Sequence, residues 1–328
     1  MSDSTSDPVR VRPRLGLQIP IFSFEGVSVD RLFDKVVDIA RAAERAGFDS
    51  VWVHDHLHQS PFSGPQTQPL LEAYTLLGAI AARTSTVAIG SMVTPVTTRH
   101  PALIAKMVTT LDVISSGRAV LGLGAGNHPD EHRGYGLAFP PVRERMEWLE
   151  EALQICRGMF TQEETTFEGH HFRLQGALNI PRPVQPGGPP IMVGGGGERR
   201  TLRLAARYAD MCGFFGDVPT IRRKLAVVER QCEETGRDPT TLVKTRLGAL
   251  VIAHTQKEAD EVGIRMKAAR RMSDDLYREV IVGDPDRVAE QVQAFLDAGL
   301  DGMFFNMDNP ERIEPVILAG ETLSKLFA

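Results

Sequence analysis

Cysteine is scarce in this chain, which has only three in 328 residues: Cys156, Cys212 and Cys232. Three widely spaced cysteines cannot build a disulfide framework, and they lack the paired spacing of a zinc site. We therefore expect reduced thiols, which is the usual state of cysteine in the cytoplasm.

An excess of positive charge and long apolar runs are also missing. The 37 basic and 42 acidic residues leave a formal net charge of −5, so no global field attracts nucleic acid or an anionic membrane. No window offers about 18 uninterrupted apolar residues, the length that a membrane span needs. The Ser/Asp-rich start of the chain has neither the basic residues nor the apolar run of a signal peptide. We expect a cytoplasmic protein that binds neither nucleic acid nor membrane.

The sequence does contain a regular alternation of short apolar runs and amphipathic stretches. It follows residues 1–12, which we expect to form a disordered tail. Eight runs have the length and the residue types of strands, at 15–19, 50–55, 87–90, 119–124, 190–193, 209–214, 246–253 and 302–306. Helices are predicted at 30–46, 70–83, 101–114, 142–159, 198–207, 219–235, 256–270, 286–298 and 313–327.

This alternation predicts an α/β fold in which parallel strands are joined by right-handed helical crossovers. Eight such units in a chain of this length favour a closed (β/α)8 TIM barrel, with an open doubly wound sheet as the alternative. No linker divides the chain, so we expect a single domain over residues 13–328 with loop insertions. The proline-rich stretch 161–189 has weak strand signals, and we interpret it as an insertion that forms a lid or part of the rim.

In such a barrel the reactive groups lie just beyond the carboxyl ends of the strands. His54, Asp55 and His56, at the end of the second predicted strand, form the densest polar cluster of this kind. A histidine can donate, accept or transfer a proton near neutral pH. Alternation along the strand places His54 and His56 on one side and Asp55 on the other. The spacing to other histidines matches no standard metal motif, so we expect no metal site.

Glycines follow two further predicted strands. Residues 194–197 are all glycine and precede a helix predicted from near Glu198, where backbone N–H groups would favour a phosphate. A flexible turn is the alternative interpretation. The glycine-rich residues 122–126 do not form a dinucleotide fingerprint, because Asn127-His128-Pro129 is not expected to lead into a helix. We interpret them as a strand end that passes close beneath a flat ligand.

These segments together resemble the luciferase-like monooxygenase family. The resemblance rests on residues 43–56, which end in His54-Asp55-His56, and on Thr94-Pro95, residues 99–102 and residues 111–118. It continues through residues 122–126, Glu131, Tyr135-Gly136, and residues 190–195, 206–210 and 283–289. In all it spans roughly residues 14–326.

The resemblance implies a TIM barrel that holds reduced FMN or the deazaflavin coenzyme F420 at its mouth. Asp55-His56 is similar to the pair by which F420-dependent members approach the ring of the coenzyme. The resemblance also implies a non-proline cis peptide at Ser91-Met92 behind the ring, and a phosphate clamp at Gly195-Gly196.

Two positions depart from patterns in the family. The F420-dependent sugar-phosphate dehydrogenases carry a glutamate near the position of Asn127, and an asparagine cannot act as a general acid. This difference speaks against that activity here. The signature cysteine of bacterial luciferases on the third strand is also absent, and Ser91 stands nearby.

We therefore predict an oxidoreductase that transfers hydride between F420, an 8-hydroxy-5-deazaflavin, and a small organic substrate. His56 is the predicted catalytic residue, as a donor of a proton or a hydrogen bond. The predicted cofactor-binding residues are Asp55, Ser91, Met92, Thr94, Gly124, Gly126, Asn127, Gly194, Gly195, Gly196 and Gly197. The alternatives are an FMN-dependent monooxygenase that uses oxygen and a cofactor-binding barrel without activity. The resemblance further implies a homodimer.

Overall fold

Eight parallel strands close into a barrel in the computed structural model, which describes residues 10–60, 63–307 and 312–327. The strands of this part of the chain are β1 (Leu15–Ile19), β2 (Ser50–Val53), β3 (Ala88–Ser91), β4 (Thr94–Pro95), β5 (Ala119–Gly124), β6 (Glu164–Glu168), β7 (Arg173–Leu178), β8 (Ile191–Gly194), β9 (Met211–Phe214), β10 (Val243–Ile252), β11 (Ile281–Gly283) and β12 (Gly302–Met307). The barrel order is β1, β2, β3, β5, β8, β9, β10 and β12, and the β12–β1 pairing closes it. The eight predicted strands and the TIM barrel are confirmed, and the open sheet is wrong.

Helices cover the outside of the barrel, mostly where they were predicted. They are α1 (Leu32–Ala46), α2 (Ala73–Ala81), α3 (Pro101–Ile114), α4 (Pro129–Gly134), α5 (Val142–Thr161), α6 (Thr201–Tyr208), α7 (Val218–Glu234), α8 (Gln256–Ala269), α9 (Asp274–Tyr277), α10 (Pro285–Leu296) and α11 (Ile313–Leu323). Within the described ranges, no helix is both long and apolar enough to cross a membrane.

Four helices differ from the prediction. Helix α2 begins at Ala73 instead of residue 70, and the short α9 was not expected. The helix expected from Glu198 begins at Thr201, after a turn over residues 198–200. A short helix begins at Pro129, where we expected none. Proline suits this first helical position because its φ is already helical and its missing N–H would have no partner there.

Arg10 and Val11 close the lower end of the barrel, although we predicted that residues 1–12 form a disordered tail. Residues 1–9 of that tail lie outside the described part of the chain. The Arg10 guanidinium donates to both carboxylate oxygens of Asp210, at 3.1 and 2.8 Å. The backbone N–H of Val11 donates to Gln185 Oε1 at 3.0 Å, and its side chain packs beneath the barrel interior. The contacts of the barrel domain therefore extend to Arg10, beyond the predicted boundary at residue 13.

The insertion at 161–189 contains the antiparallel hairpin β6–β7. It lies against α3 and α5: Glu151 accepts hydrogen bonds from the backbone N–H groups of His170, His171 and Phe172, and Asn179 donates to Thr109. The hairpin is therefore an outer layer on two helices. Its tip comes near the rim, where the Phe172 ring lies 5.3 Å from that of His100, and the expectation of a lid is not met.

Inward-facing side chains fill the barrel interior. The rings of Trp52 and Phe304 are 4.9 Å apart at its centre, and Ala88, Val120 and Met192 pack around them. This packing determines which strand positions face inward, because side chains alternate along each strand. By the same alternation, the next inward positions toward the mouth are His54 on β2 and Gly122 and Gly124 on β5.

The third strand is interrupted between β3 and β4. The backbone N–H of Met92 still donates to the carbonyl of Val53 at 2.8 Å, which extends the pairing with β2 through Met92. The non-proline cis peptide lies between Met92 and Val93. The predicted position, Ser91-Met92, is wrong by one residue, because regular pairing with β2 holds Ser91 and Met92 in an extended chain.

The interruption directs the Val93 side chain across the top of the barrel interior, over glycines of β5 and β8. A Cβ atom at Gly124 or at Gly194 would lie 2.7 Å from a methyl carbon of Val93, and one at Gly122 would lie 3.0 Å away. Only glycine fits at these distances, because interiors are close-packed. We call these four residues the valine ledge. The glycines thus lie beneath Val93, which stands between them and the mouth.

Gly122→Ala should destabilise the protein, because the new Cβ would collide with the carbonyl oxygen of Ser91 and press on Val93. Overpacking of this kind costs about 1–3 kcal/mol or more. Thermal unfolding checks it. The control is Gly134→Ala, since a Cβ at Gly134 meets no atom within 4 Å. An unchanged midpoint for Gly122→Ala would show that the ledge is not tightly packed.

Candidate active site

At the end of β2, the side chains of His54 and His56 lie on one side of the strand and that of Asp55 lies on the other, as alternation predicts. The rings of His54 and His56 lie edge to face, with centroids 5.2 Å apart. Asp55 points the other way, toward Arg99. His54 and Asp55 are buried, whereas the His56 side chain keeps 19% of its surface exposed. Of the three, His56 is therefore the one most open to a molecule in the mouth.

His56 is held by a carboxylate from the α4 segment. Its Nδ1 lies 2.9 Å from Glu131 Oε2, and the backbone N–H of Leu57 donates to Glu131 Oε1 at 2.7 Å. Burial alone would raise the pKa of Glu131, but the hydrogen bond and the charge of His56 outweigh it and lower that pKa. An ionised carboxylate only accepts hydrogen bonds, so Nδ1 donates. This fixes the ring and leaves Nε2 for chemistry.

Sequence reasoning did not place Glu131 in the site. It was noticed only as part of the family resemblance, because no helix was expected after Pro129. A useful signal was present: Asp130 and Glu131 follow a proline, which is typical of a first helical turn. His128, just before this turn, packs its ring edge to face on His56, with centroids 4.4 Å apart.

Asp55 is paired with Arg99, which is also bonded to Glu72. The guanidinium makes two hydrogen bonds to the Asp55 carboxylate, at 2.7 and 3.1 Å. It also donates to Glu72 Oε1, at 2.6 Å, and to Thr98 Oγ1, at 3.2 Å. Asp55 is only 1% exposed, and burial raises its pKa more than Arg99 lowers it. Both carboxylate oxygens are therefore used inside the protein.

Ser91 and Thr94 belong to a chain of buried hydroxyl groups. Ser91 Oγ lies 2.7 Å from Thr94 Oγ1, which lies 2.8 Å from the hydroxyl of Tyr74. Burial raises the pKa of Tyr74, so it remains a neutral phenol. The Met92 carbonyl accepts a hydrogen bond from Gln18 Nε2 at 3.3 Å. These contacts hold both sides of the interruption that carries Val93.

The four glycines of residues 194–197 form a loop with unused donors. Gly195 has a φ of +114°, a conformation that favours glycine. In the described part of the chain, the backbone N–H groups of Gly196 and Gly197 have no acceptor. Lys224 of α7 donates to the Gly196 carbonyl at 2.6 Å. Sequence reasoning missed Lys224, which gives this loop a positive charge; nothing in its position within α7 could have indicated the contact.

The three predicted residues at the end of β5 and in the loop after it differ in burial. Gly124 lies in the valine ledge, and Gly126 has a φ of +79° and packs under Thr97. Arg145 of α5 donates to the carbonyls of Ala125 and Gly126. Asn127 is exposed at the rim. Asn127 and Gly197 are thus the two exposed residues of the predicted cofactor site.

The described residues contain no cluster of His, Cys, Asp or Glu side chains suited to a metal ion. The mouth instead combines an apolar ledge, a carboxylate-bound histidine and a cationic glycine loop. Such a site can hold a flat, phosphate-bearing molecule and move a proton beside it.

Known proteins resemble this chain in sequence and in fold. One relative, an F420-dependent glucose-6-phosphate dehydrogenase from Nakamurella multipartita, is 32% identical over 88% of this chain and 91% of its own. The coenzyme F420-dependent tetrahydromethanopterin reductase of Methanopyrus kandleri shares the fold, with a TM-score of 0.79, 19% identity and coverage of 97% and 100% of the two chains.

A monooxygenase, RslO1 from Streptomyces bottropensis, also shares the fold, with a TM-score of 0.81, 21% identity and coverage of 96% and 100%. The family model for luciferase-like monooxygenases matches residues 14–265. That match covers most of the barrel, including β2, the valine ledge and the glycine loop, and the chain therefore belongs to the luciferase-like monooxygenase family.

Proposed function

We propose that this chain is an F420-dependent oxidoreductase that transfers hydride between the deazaflavin and a small organic substrate. The observation that carries the proposal is His56, fixed by Glu131 through Nδ1 and open toward the mouth at the end of β2. The sequence similarity to an F420-dependent dehydrogenase over 88% of the chain supports it.

The residues present fit such a cofactor. Val93 offers an apolar surface for one face of a ring system, and the N–H groups of Gly196 and Gly197 with Lys224 would hold the phosphate. Four other predicted residues would support the cofactor site by holding the ends of β2 and β3 in place: Asp55, Ser91, Met92 and Thr94. Gly124, Gly194 and Gly195 shape this floor, and Gly126 and Asn127 would border it at the rim.

When bound, the 5-deazaflavin supplies or accepts the hydride, since it carries carbon where a flavin has N5. The chain supplies position, a partly dry surface and one proton. His56, with Nδ1 bonded to ionised Glu131, can hold a proton on Nε2 and pass it to a substrate oxygen as charge develops there. Glu131 stabilises the charged ring, as a buried carboxylate does for a general acid–base histidine.

An FMN-dependent monooxygenase that uses oxygen is the second candidate function. The match to the family model and the fold shared with RslO1 support it. A cofactor-binding barrel without activity is the third candidate. Asn127 carries no acidic proton, so we do not propose that the chain acts on a sugar phosphate as its relative does.

F420 should bind more tightly than FMN to the purified protein. The pair formed by Asp55 and His56 and the cationic glycine loop motivate this expectation. Fluorescence titration with both cofactors at the same ionic strength measures it, because phosphate contacts depend on salt. Tighter binding of FMN would support the monooxygenase instead.

His56→Ala should lower turnover at saturating cofactor by about 10²–10⁴-fold, the usual contribution of general acid–base catalysis. Glu131→Gln should give a smaller loss of the same kind. The measurement is the steady-state oxidation of reduced F420 with a panel of small carbonyl compounds. His254→Ala is the matched control, since His254 lies on the surface beside Glu314. Normal turnover of His56→Ala, with weaker cofactor binding, would assign His56 a packing role only.

We also propose that the protein is a cytoplasmic homodimer. Free, buried cysteines agree with a reducing compartment. Leu103 and Ile114 of α3 are exposed apolar side chains on one helix face, and Val113 is exposed beside them, as at a subunit interface. Sedimentation should give twice the chain mass of 36.0 kDa. Leu103→Asp with Ile114→Asp should give monomers, whereas the control Ile264→Asp, at an exposed site on α8, should not; a wild-type monomer would contradict the proposal.

A further inference from the structure

We infer that His54 is a cofactor-binding residue whose imidazole forms a hydrogen bond with a heteroatom at the edge of the bound ring. The inference rests on the proposed function only in requiring that the mouth hold a flavin or deazaflavin. It assigns a role to a side chain beneath the catalytic His56.

The position of His54 follows from its strand. Ser50 and Trp52 precede it at alternate positions of β2, and the Trp52 indole donates to Ser50 Oγ at 3.0 Å inside the barrel. His54 is therefore the next inward position, one step above Trp52 and facing the mouth. Its ring also lies edge to face on His56, 5.2 Å away.

The hydrogen-bonding state of His54 is unusual for a buried histidine. The residue is 6% exposed, and its Nε2 is buried without a hydrogen-bond partner among the residues that the structure describes. A buried polar atom left in this way is destabilising and calls for a ligand or a functional reason. The other buried histidine of this region, His132, bonds through both nitrogens, to Thr97 Oγ1 and to the His128 carbonyl, each at 2.7 Å.

The two histidines of β2 therefore differ in what they can offer. His56 is bonded to the Glu131 carboxylate through Nδ1, whereas burial, with the nearby charges of His56 and His128, lowers the pKa of His54 to about 3. His54 stays neutral across the working pH range and offers one donor and one acceptor. Such a group recognises a ring nitrogen or carbonyl without adding charge beneath the ring.

His54→Leu separates binding from packing, because leucine fills similar space without polar atoms. We expect the variant without cofactor to be at least as stable as wild type, since an unsatisfied group is removed. Its affinity for the cofactor should fall by about 5–30-fold, the loss of one hydrogen bond. His54→Gln, which keeps a donor and an acceptor, should bind within about threefold of wild type.

The matched control is His132→Leu, which should lose stability because His132 is fully bonded. Each variant and the wild-type protein are titrated with F420 and with FMN. If the wild-type protein binds FMN more tightly, the F420 proposal is wrong, but the effect of the His54 variants on FMN binding still tests the inference. The affinity ratio of His54→Leu to wild type should be the same at pH 6 and pH 8.

A second measurement does not depend on variants. In the 15N-histidine-labelled wild-type protein, the ring nitrogens of His54 should shift when either cofactor is added. Unchanged His54 signals, or wild-type affinity of His54→Leu for both cofactors, would overturn the inference. Failure of the wild-type protein to bind either cofactor would overturn both the inference and the proposed function.

Discussion

The packing of Val93 over the glycines of β5 and β8 determines the shape of the barrel mouth. Because the Val93 methyl groups occupy the space above Gly122, Gly124 and Gly194, these positions cannot carry side chains. The strand before Val93 must also be interrupted, since a regular strand would turn that side chain elsewhere. The buried Ser91–Thr94–Tyr74 hydroxyl chain and the Gln18 amide on the Met92 carbonyl stabilise this local departure from the regular strand.

Strand β2, beside this interruption, divides its polar residues between two environments. Asp55 faces outward and is neutralised by Arg99, so a buried carboxylate is tolerated where an unpaired one would be strongly destabilising. His54 and His56 face the other side. Nε2 of His54 has no hydrogen-bond partner in the described part of the chain, whereas Nδ1 of His56 bonds to Glu131. Three adjacent residues thus acquire different chemistry from the alternation of the strand alone.

The sequence was sufficient to predict the barrel, because apolar runs alternating with amphipathic stretches leave few other arrangements. It also selected β2 and the glycine loop, since strand ends carry the chemistry in this architecture. Residues that act across long distances along the chain were missed. Glu131 reaches His56, and Lys224 reaches Gly196, only after closure of the barrel. Val93 was missed because it covers the glycines only if the third strand stops pairing with β2 after Met92, and the sequence does not show where that pairing stops.

The two ends of the barrel differ in whether their polar groups have hydrogen-bond partners within the protein. At the lower end, Asp210 accepts hydrogen bonds from Arg10, Arg157 and the backbone of Ile191. Burial alone would raise its pKa, but these partners lower it. At the upper end, His54 Nε2 and the N–H groups of Gly196 and Gly197 have no partner among the described residues. A buried group without a partner, such as His54 Nε2, lowers the stability of the fold, whereas the N–H groups of Gly196 and Gly197 lie near the surface and can bond to water or to a ligand. The mouth therefore keeps hydrogen-bonding groups available for a ligand, whereas the polar groups of the lower end are used within the fold.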